Sequence, residues 1–320
     1  MALGDMSKTT NQAIVLTNCT GRKMHGPGAV AQDLPSGSAS VESLALAWRS
    51  ALLAVDSLHV AKDLYAGRSI REAEAVAACL DAPLYVVSAG LGLISVTDRI
   101  PAYDLTVAST GATILPALRR LGASPRHWWT ELTRSAGDAS PVGTLMRRHS
   151  SAVVYVAMPA SYLDLIADEV ASLPTAERRR LRIVSSPAWQ RGAPPELAPF
   201  VLPYDERLES TEFAGTRADF PQRALRHFIQ ALQGHTLGAE DGRAVVAEAM
   251  SKQTLKVLPG RKRCTDEEIR SLLRRHWGAN DGSGSRLLRV LRDDLLVKCE
   301  QTRFRDLWRD VRSEMEHSSP

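Results

Sequence analysis

Ala13-Ile14-Val15-Leu16-Thr17 is a short β-type run that ends abruptly in Asn18-Cys19-Thr20-Gly21-Arg22-Lys23. A second run repeats the design: Leu84-Tyr85-Val86-Val87 leads into Ser88-Ala89-Gly90-Leu91-Gly92. Open α/β sheets build ligand sites in this way, because the strand fixes the backbone and the small, polar residues after it present that backbone to a ligand. Leu64-Tyr65-Ala66-Gly67-Arg68-Ser69 lies between the two runs, and Asp98 and Tyr103-Asp104 follow the second. A packed core requires none of these signatures.

Further along the chain, Ser151 to Met158 is continuously apolar, as expected for a strand buried on both faces of a parallel sheet. Pro159-Ala160-Ser161 begins a helix that reaches Leu173, and Leu181 to Ser185 is the next strand. This rhythm predicts an α/β fold with an open, mainly parallel sheet and flanking helices. Helical spacing also marks Val41 to Leu58, with Ser40 as N-cap, and Thr113 to Leu121 and Pro125 to Arg134. Ser69 with Glu72 reads as a capping box opening a helix to Leu80. Met24 to Ser40 reads as a long loop across the site, and Phe200-Val201-Leu202 as an edge strand.

The expected organisation is a disordered start (residues 1–12), an α/β domain (13–216), a helical connector (217–260) and a basic helical module (261–320). In that module Thr265 with Glu268 caps one helix and Ser285 caps the next. The last helix carries the stripe Phe304, Leu307, Trp308 and Val311. Three helices of this length are the size of a helix-turn-helix or winged-helix domain.

Composition narrows the classes. At 320 residues, 44% apolar and 24% charged, the chain holds about two ordinary domains and can bury a core. No apolar stretch approaches the roughly 20 residues that span a bilayer. Cys19, Cys79, Cys264 and Cys299 are scattered without metal-ligand spacing, so reduced thiols, a cytoplasmic location and no metal site are expected. Charge is uneven: 20 Lys/Arg face 15 Asp/Glu from Arg217 onward, against 20 and 21 before it. Arg261, Lys262, Arg263, Arg274, Arg275, Arg286, Arg289 and Arg292 cluster there. They read either as a phosphate-backbone footprint, DNA before RNA, or as a solvated helical face.

Cys19 follows a strand and sits close to Arg22 and Lys23, cations that favour a thiolate. It is a candidate nucleophile, the alternative being an inert buried thiol. Lys23 pairs with a ligand anion or points to water. Ser88 and Gly90 offer a hydroxyl and close backbone approach, or only a tight turn. Asp98 and Asp104 suit a ribose or general-base role, and Tyr103 suits stacking on a base. Asn18, Thr20, Arg22, Tyr65 and Ser69 complete the candidate ligand-binding set. No phosphate-binding GxxxxGK[ST] loop is present, and Gly90-x-Gly92 lacks the third glycine of a dinucleotide fingerprint, so no cofactor is assigned.

The combination of Asn18-Cys19-Thr20-Gly21-Arg22-Lys23, the Ala61 to Ala73 stretch and Tyr85 to Asp104 resembles the YaaA-like superfamily. That grouping includes peroxide-stress YaaA proteins and a domain of archaeosine synthase, which works on a 7-deazaguanine base. The resemblance covers residues 14–104 well and 105–205 loosely. It implies an α/β domain directed at a nucleobase or nucleic acid, in a base-modification or phage-defence setting, with Cys19 as nucleophile or base-recognition residue beside Lys23 and Ser88. Three functions stay open. One is an enzyme acting on a nucleobase or nucleotide, and another a non-catalytic DNA-binding regulator or defence component that senses a small ligand. The third is an oligomeric, partner-binding scaffold whose C-terminal helices form the interface through the Phe304 to Val311 stripe.

Overall fold

The structure, a computed structural model, describes residues 12–21, 23–26, 28–35, 37–255 and 260–317. The expectations for Arg22 and for disorder before residue 12 lie outside the described residues. The chain divides into two compact units, Met1–Lys256 and Val257–Pro320.

In the first unit, β1 (Ala13–Asn18) is buried along its whole length and lies at the centre of a five-stranded sheet. β2 (Leu84–Ser88) and β4 (Val153–Ala157) flank it, both parallel. β5 (Leu181–Val184) continues in parallel beyond β4, whereas β3 (Gly92–Ser95) closes the other edge antiparallel to β2. The order is β3-β2-β1-β4-β5. The fold is thus mixed α/β around a mainly parallel sheet. The glycines after β2, read as a ligand loop, form the turn of the β2–β3 hairpin instead, with Gly92 at φ +78°.

The principal helices are α1 (Val41–Leu53), α2 (Arg68–Cys79), α3 (Pro125–Ser135), α4 (Ala160–Ser172), α5 (Phe220–Gln230) and α6 (Ala239–Ser251). α2 lies in the crossover from β1 to β2, and α4 in the crossover from β4 to β5. Right-handed crossovers leading opposite ways from the sheet centre place these two helices on opposite faces. α5 packs beside α2, while α3 packs against both α1 and α4. The segment read as a connector therefore supplies α5 to the core of the first unit. Trp48 and Trp128 donate their indole N–H groups to the carbonyls of Gly90 (2.7 Å) and Ala89 (2.8 Å), satisfying the buried hairpin turn.

Local signals differ in outcome. Ser40 caps α1, accepting from the Ser43 amide at 3.1 Å. Ser69 does not cap α2: the helix starts at Arg68 behind Gly67, whose φ is +124°, and it has no side-chain cap. Glu72 is drawn instead to Arg226 at 3.0 Å. The expected edge strand contracts to one parallel bridge between Val201 and Ile183.

The second unit holds α7 (Asp266–His276), α8 (Gly284–Arg289) and α9 (Gln301–His317). A parallel two-residue ribbon of β6 (Lys262–Arg263) and β7 (Val297–Lys298) joins them. Thr265 and Glu268 form the expected capping box. The α8 cap position falls on Ser283, not Ser285, and the helix runs on into a π-helical turn, Val290–Asp294. Phe304, Leu307 and Val311 are buried with Ile269, Leu273 and Leu287 in this unit's own core. The stripe offered as an oligomer face is thereby used internally.

Candidate functional site

The connections from β1 and β4, adjacent parallel strands, leave in opposite directions. Their carboxyl ends form a topological switch point, the place where open α/β sheets bind ligands. A cleft of about 610 Å³ opens there. Its walls are Asn18 to Gly21 after β1, Ala66 to Ser69 entering α2, and Pro159 to Tyr162 entering α4. Segments around Asp104 to Ala112 and Thr216 to Asp219 complete it.

Cys19 lies at the base of the cleft, 3% exposed, its amide donating to the Val87 carbonyl at 3.0 Å. Its Sγ is 3.1 Å from the Tyr162 hydroxyl, which is 3.2 Å from Thr106 Oγ1. Burial, reinforced by the neighbouring thiol, pushes the Tyr162 phenol well above its ordinary range. Tyr162 therefore keeps its proton, and either its hydroxyl or the Cys19 thiol can donate in their hydrogen bond.

The backbone at Cys19 is held from behind. Asn18 donates Nδ2 to the Cys19 carbonyl at 2.8 Å, and its Oδ1 accepts from Gln222 Nε2 at 2.9 Å. The same Gln222 amide lies 3.0 Å from both Thr17 Oγ1 and the Ala157 carbonyl. One buried side chain from α5 thus ties the end of β1 to the end of β4. The other amide atom, Gln222 Oε1, is buried without a partner among the described residues.

Lys23 is half-buried beside the cleft rather than in open water. Its backbone bridges Tyr65, its Nζ donates to the Thr20 carbonyl at 3.2 Å, and the ammonium lies 4.4 Å over the Tyr103 ring. Burial lowers the Lys23 pKa, against the opposing attraction of Cys19 and Asp104. Tyr103 itself is fully buried: its hydroxyl lies 2.6 Å from Ser88 Oγ and 2.8 Å from the Tyr65 hydroxyl. Desolvation drives both phenols well up. Ser88 also accepts from the Gly90 and Leu91 amides, at 3.2 and 3.0 Å.

The structure thus brings together Asn18, Cys19, Thr20, Ser69 and Asp104 in the cleft wall, with Lys23 beside them. Ser88, Tyr65 and Tyr103 form a buried hydroxyl chain behind it, so neither base stacking on Tyr103 nor attack by Ser88 is open to them. Gly90 serves packing: a Cβ there would come within 2.8 Å of the Tyr103 ring. Asp98 accepts from the Ser95 amide at 2.7 Å and stabilises the turn between strands. Sequence reasoning missed Tyr162, Thr106 and Gln222. It also missed the Arg68–Asp219 pair (3.2 Å) at the cleft edge. Cys19 directly follows β1, whereas Tyr162 lies in the first turn of α4, the helix after β4, and its place behind the second buried run was the available signal.

α2 and α4 both begin in the cleft wall without a side-chain cap. Uncapped amino ends carry partial positive charge, which favours an anion or thiolate nearby. Among the described residues no group of three or more His, Cys, Asp or Glu is arranged to hold a metal ion.

In the second unit most of the helix-borne cations are neutralised locally. Arg274 meets Glu314 and Glu267, each at 2.9 Å. Arg286 meets Asp281 at 2.7 Å, Arg261 meets Asp293 at 3.1 Å, and Arg292 donates to the Cys299 carbonyl at 2.8 Å. Arg263, Arg275 and Arg289 are exposed, with no ion pair to a carboxylate among the described residues, and Lys262 is exposed near Glu268. No family model matches this chain, and neither does any curated protein or solved structure.

Proposed function

We propose that the switch-point cleft is the active site of an enzyme acting on a nucleobase or nucleotide, with Cys19 as the reacting group. The observation that carries this reading is the Cys19 Sγ set 3.1 Å from the Tyr162 hydroxyl at the carboxyl ends of β1 and β4. The Tyr162 hydroxyl, the starts of two helices without side-chain caps and the nearby Lys23 surround that sulfur, which suits a nucleophile. Lys23 also holds the loop through the Thr20 carbonyl, so it positions as well as polarises. The nucleobase class comes from the resemblance to YaaA-like proteins. A turnover screen over free bases, nucleotides, RNA and DNA tests it: Cys19→Ala abolishes the activity without changing the melting temperature. Full turnover by that variant would eliminate the reading.

The near-complete burial of Cys19 favours a second reading, in which the cleft senses a small ligand and the second unit binds DNA without catalysis. Lys262, Arg263, Arg275 and Arg289 neutralise the phosphates in that case. Changing all four to alanine lowers affinity at every sequence and flattens the salt dependence, by about 0.9 in the log–log slope for each phosphate that is no longer neutralised. Affinity unaltered by the four changes would dismiss it.

A further inference from the structure

We propose that the outer face of α1, with the groove beside it, is a self-association surface for a second copy of this chain. The inference is independent of the reaction at Cys19. Among the described residues the exposed large apolar side chains are Met24, Leu46, Leu53, Leu58 and Leu255. Three of these five belong to one stretch: Leu46 and Leu53 on α1, exposed by 52% and 75%, and Leu58 just beyond it, by 44%. Leu46, Arg49 and Leu53 are spaced three and four apart, so they form one stripe on the helix.

Next to the stripe is a groove of about 390 Å³. Its walls include Leu52, Val55, Leu91 and Leu132, and Leu53 and Leu58 also border it. Arg49 and Asp56 line it too, and neither has an ion-pair or hydrogen-bond partner among the described residues. A patch that holds a projecting leucine, an apolar recess and one unpaired charge of each sign is complementary to itself. A two-fold, isologous contact requires that property, since the same surface meets its own copy. In the dimer Leu53 of one copy enters the recess of the other, and Arg49 meets Asp56 across the axis, each contact occurring twice. A different protein would need to supply the same set of features by coincidence.

Sedimentation velocity of the full chain over a micromolar dilution series tests the proposal. The expected species has twice the 34.9 kDa chain mass and dissociates on dilution. Leu53→Glu and Arg49→Glu, both at accessible positions, shift the equilibrium to monomer by about tenfold or more, because the first puts a carboxylate into an apolar recess and the second sets like charge against Asp56. Their circular dichroism and melting temperature stay those of the parent. The charge-swapped double variant Arg49→Asp/Asp56→Arg restores the dimer. A chain that remains monomeric throughout, or a dimer indifferent to both single changes, overturns the proposal; failure of the swap to rescue overturns the Arg49–Asp56 pairing.

Discussion

At the scale of residues, the proposed chemistry rests on the Cys19–Tyr162 contact. Hydrogen bonds to charged groups contribute about 1.5–3 kcal/mol. Tyr162→Phe therefore slows alkylation of Cys19 by about tenfold or more at fixed neutral pH, read by peptide mass, if the phenol stabilises the thiolate. An unchanged or faster rate means that the phenol only covers the sulfur. Gln222 is the corresponding structural test. Gln222→Ala leaves the Ala157 carbonyl and Asn18 Oδ1 short of a donor and is expected to lower unfolding free energy by about 1–3 kcal/mol in urea titrations. Cys19 was legible in the sequence because a strand that ends in small polar residues is a local pattern. Tyr162, Thr106 and Gln222 were not, since they reach the thiol only after the chain has crossed the sheet. Ser88 and Tyr103 were misplaced for the opposite reason: hydroxyls near a glycine read as a site, although here they satisfy one another inside the wall.

At the scale of elements, the start of α5 depends on Asp219. Burial raises the pKa of that carboxyl, but hydrogen bonds from Arg223 (2.6 Å) and the Thr216 amide (2.9 Å) outweigh it, and the net shift is downward from 3.8. A depressed folded-state pKa contributes stability that is complete above the ordinary aspartate range and is lost as pH falls through the depressed value. The urea midpoint should therefore drop below about pH 4, and Asp219→Asn should flatten that part of the profile. A wild-type midpoint that holds constant through the acid range would refute this role. Helix starts were legible in the sequence where the cap partner is adjacent, as at Ser40 and Thr265. At Ser69 the box pattern failed because Glu72 was claimed by Arg226, 154 residues away. No local pattern contains that competition. The antiparallel β3 was hidden likewise, since Gly90 and Gly92 fit a ligand loop and a hairpin turn equally well.

At the scale of the whole molecule, the parallel sheet was readable from its buried runs, and the switch point follows from strand order, which only the folded chain reveals. The second unit is a separate core whose basic surface is largely paired to its own acids, so any binding of nucleic acid falls to a few exposed cations. The ligand proposed for the cleft at Cys19 bears a nucleobase. The most direct measurement is protection of Cys19 from iodoacetamide by a panel of bases, nucleosides and nucleotides, with Cys79, Cys264 and Cys299 followed in the same digest as internal controls. Saturable slowing of Cys19 labelling by at least one nucleobase compound is expected, with the other three thiols unchanged. Labelling of Cys19 that no member of the panel alters would contradict it.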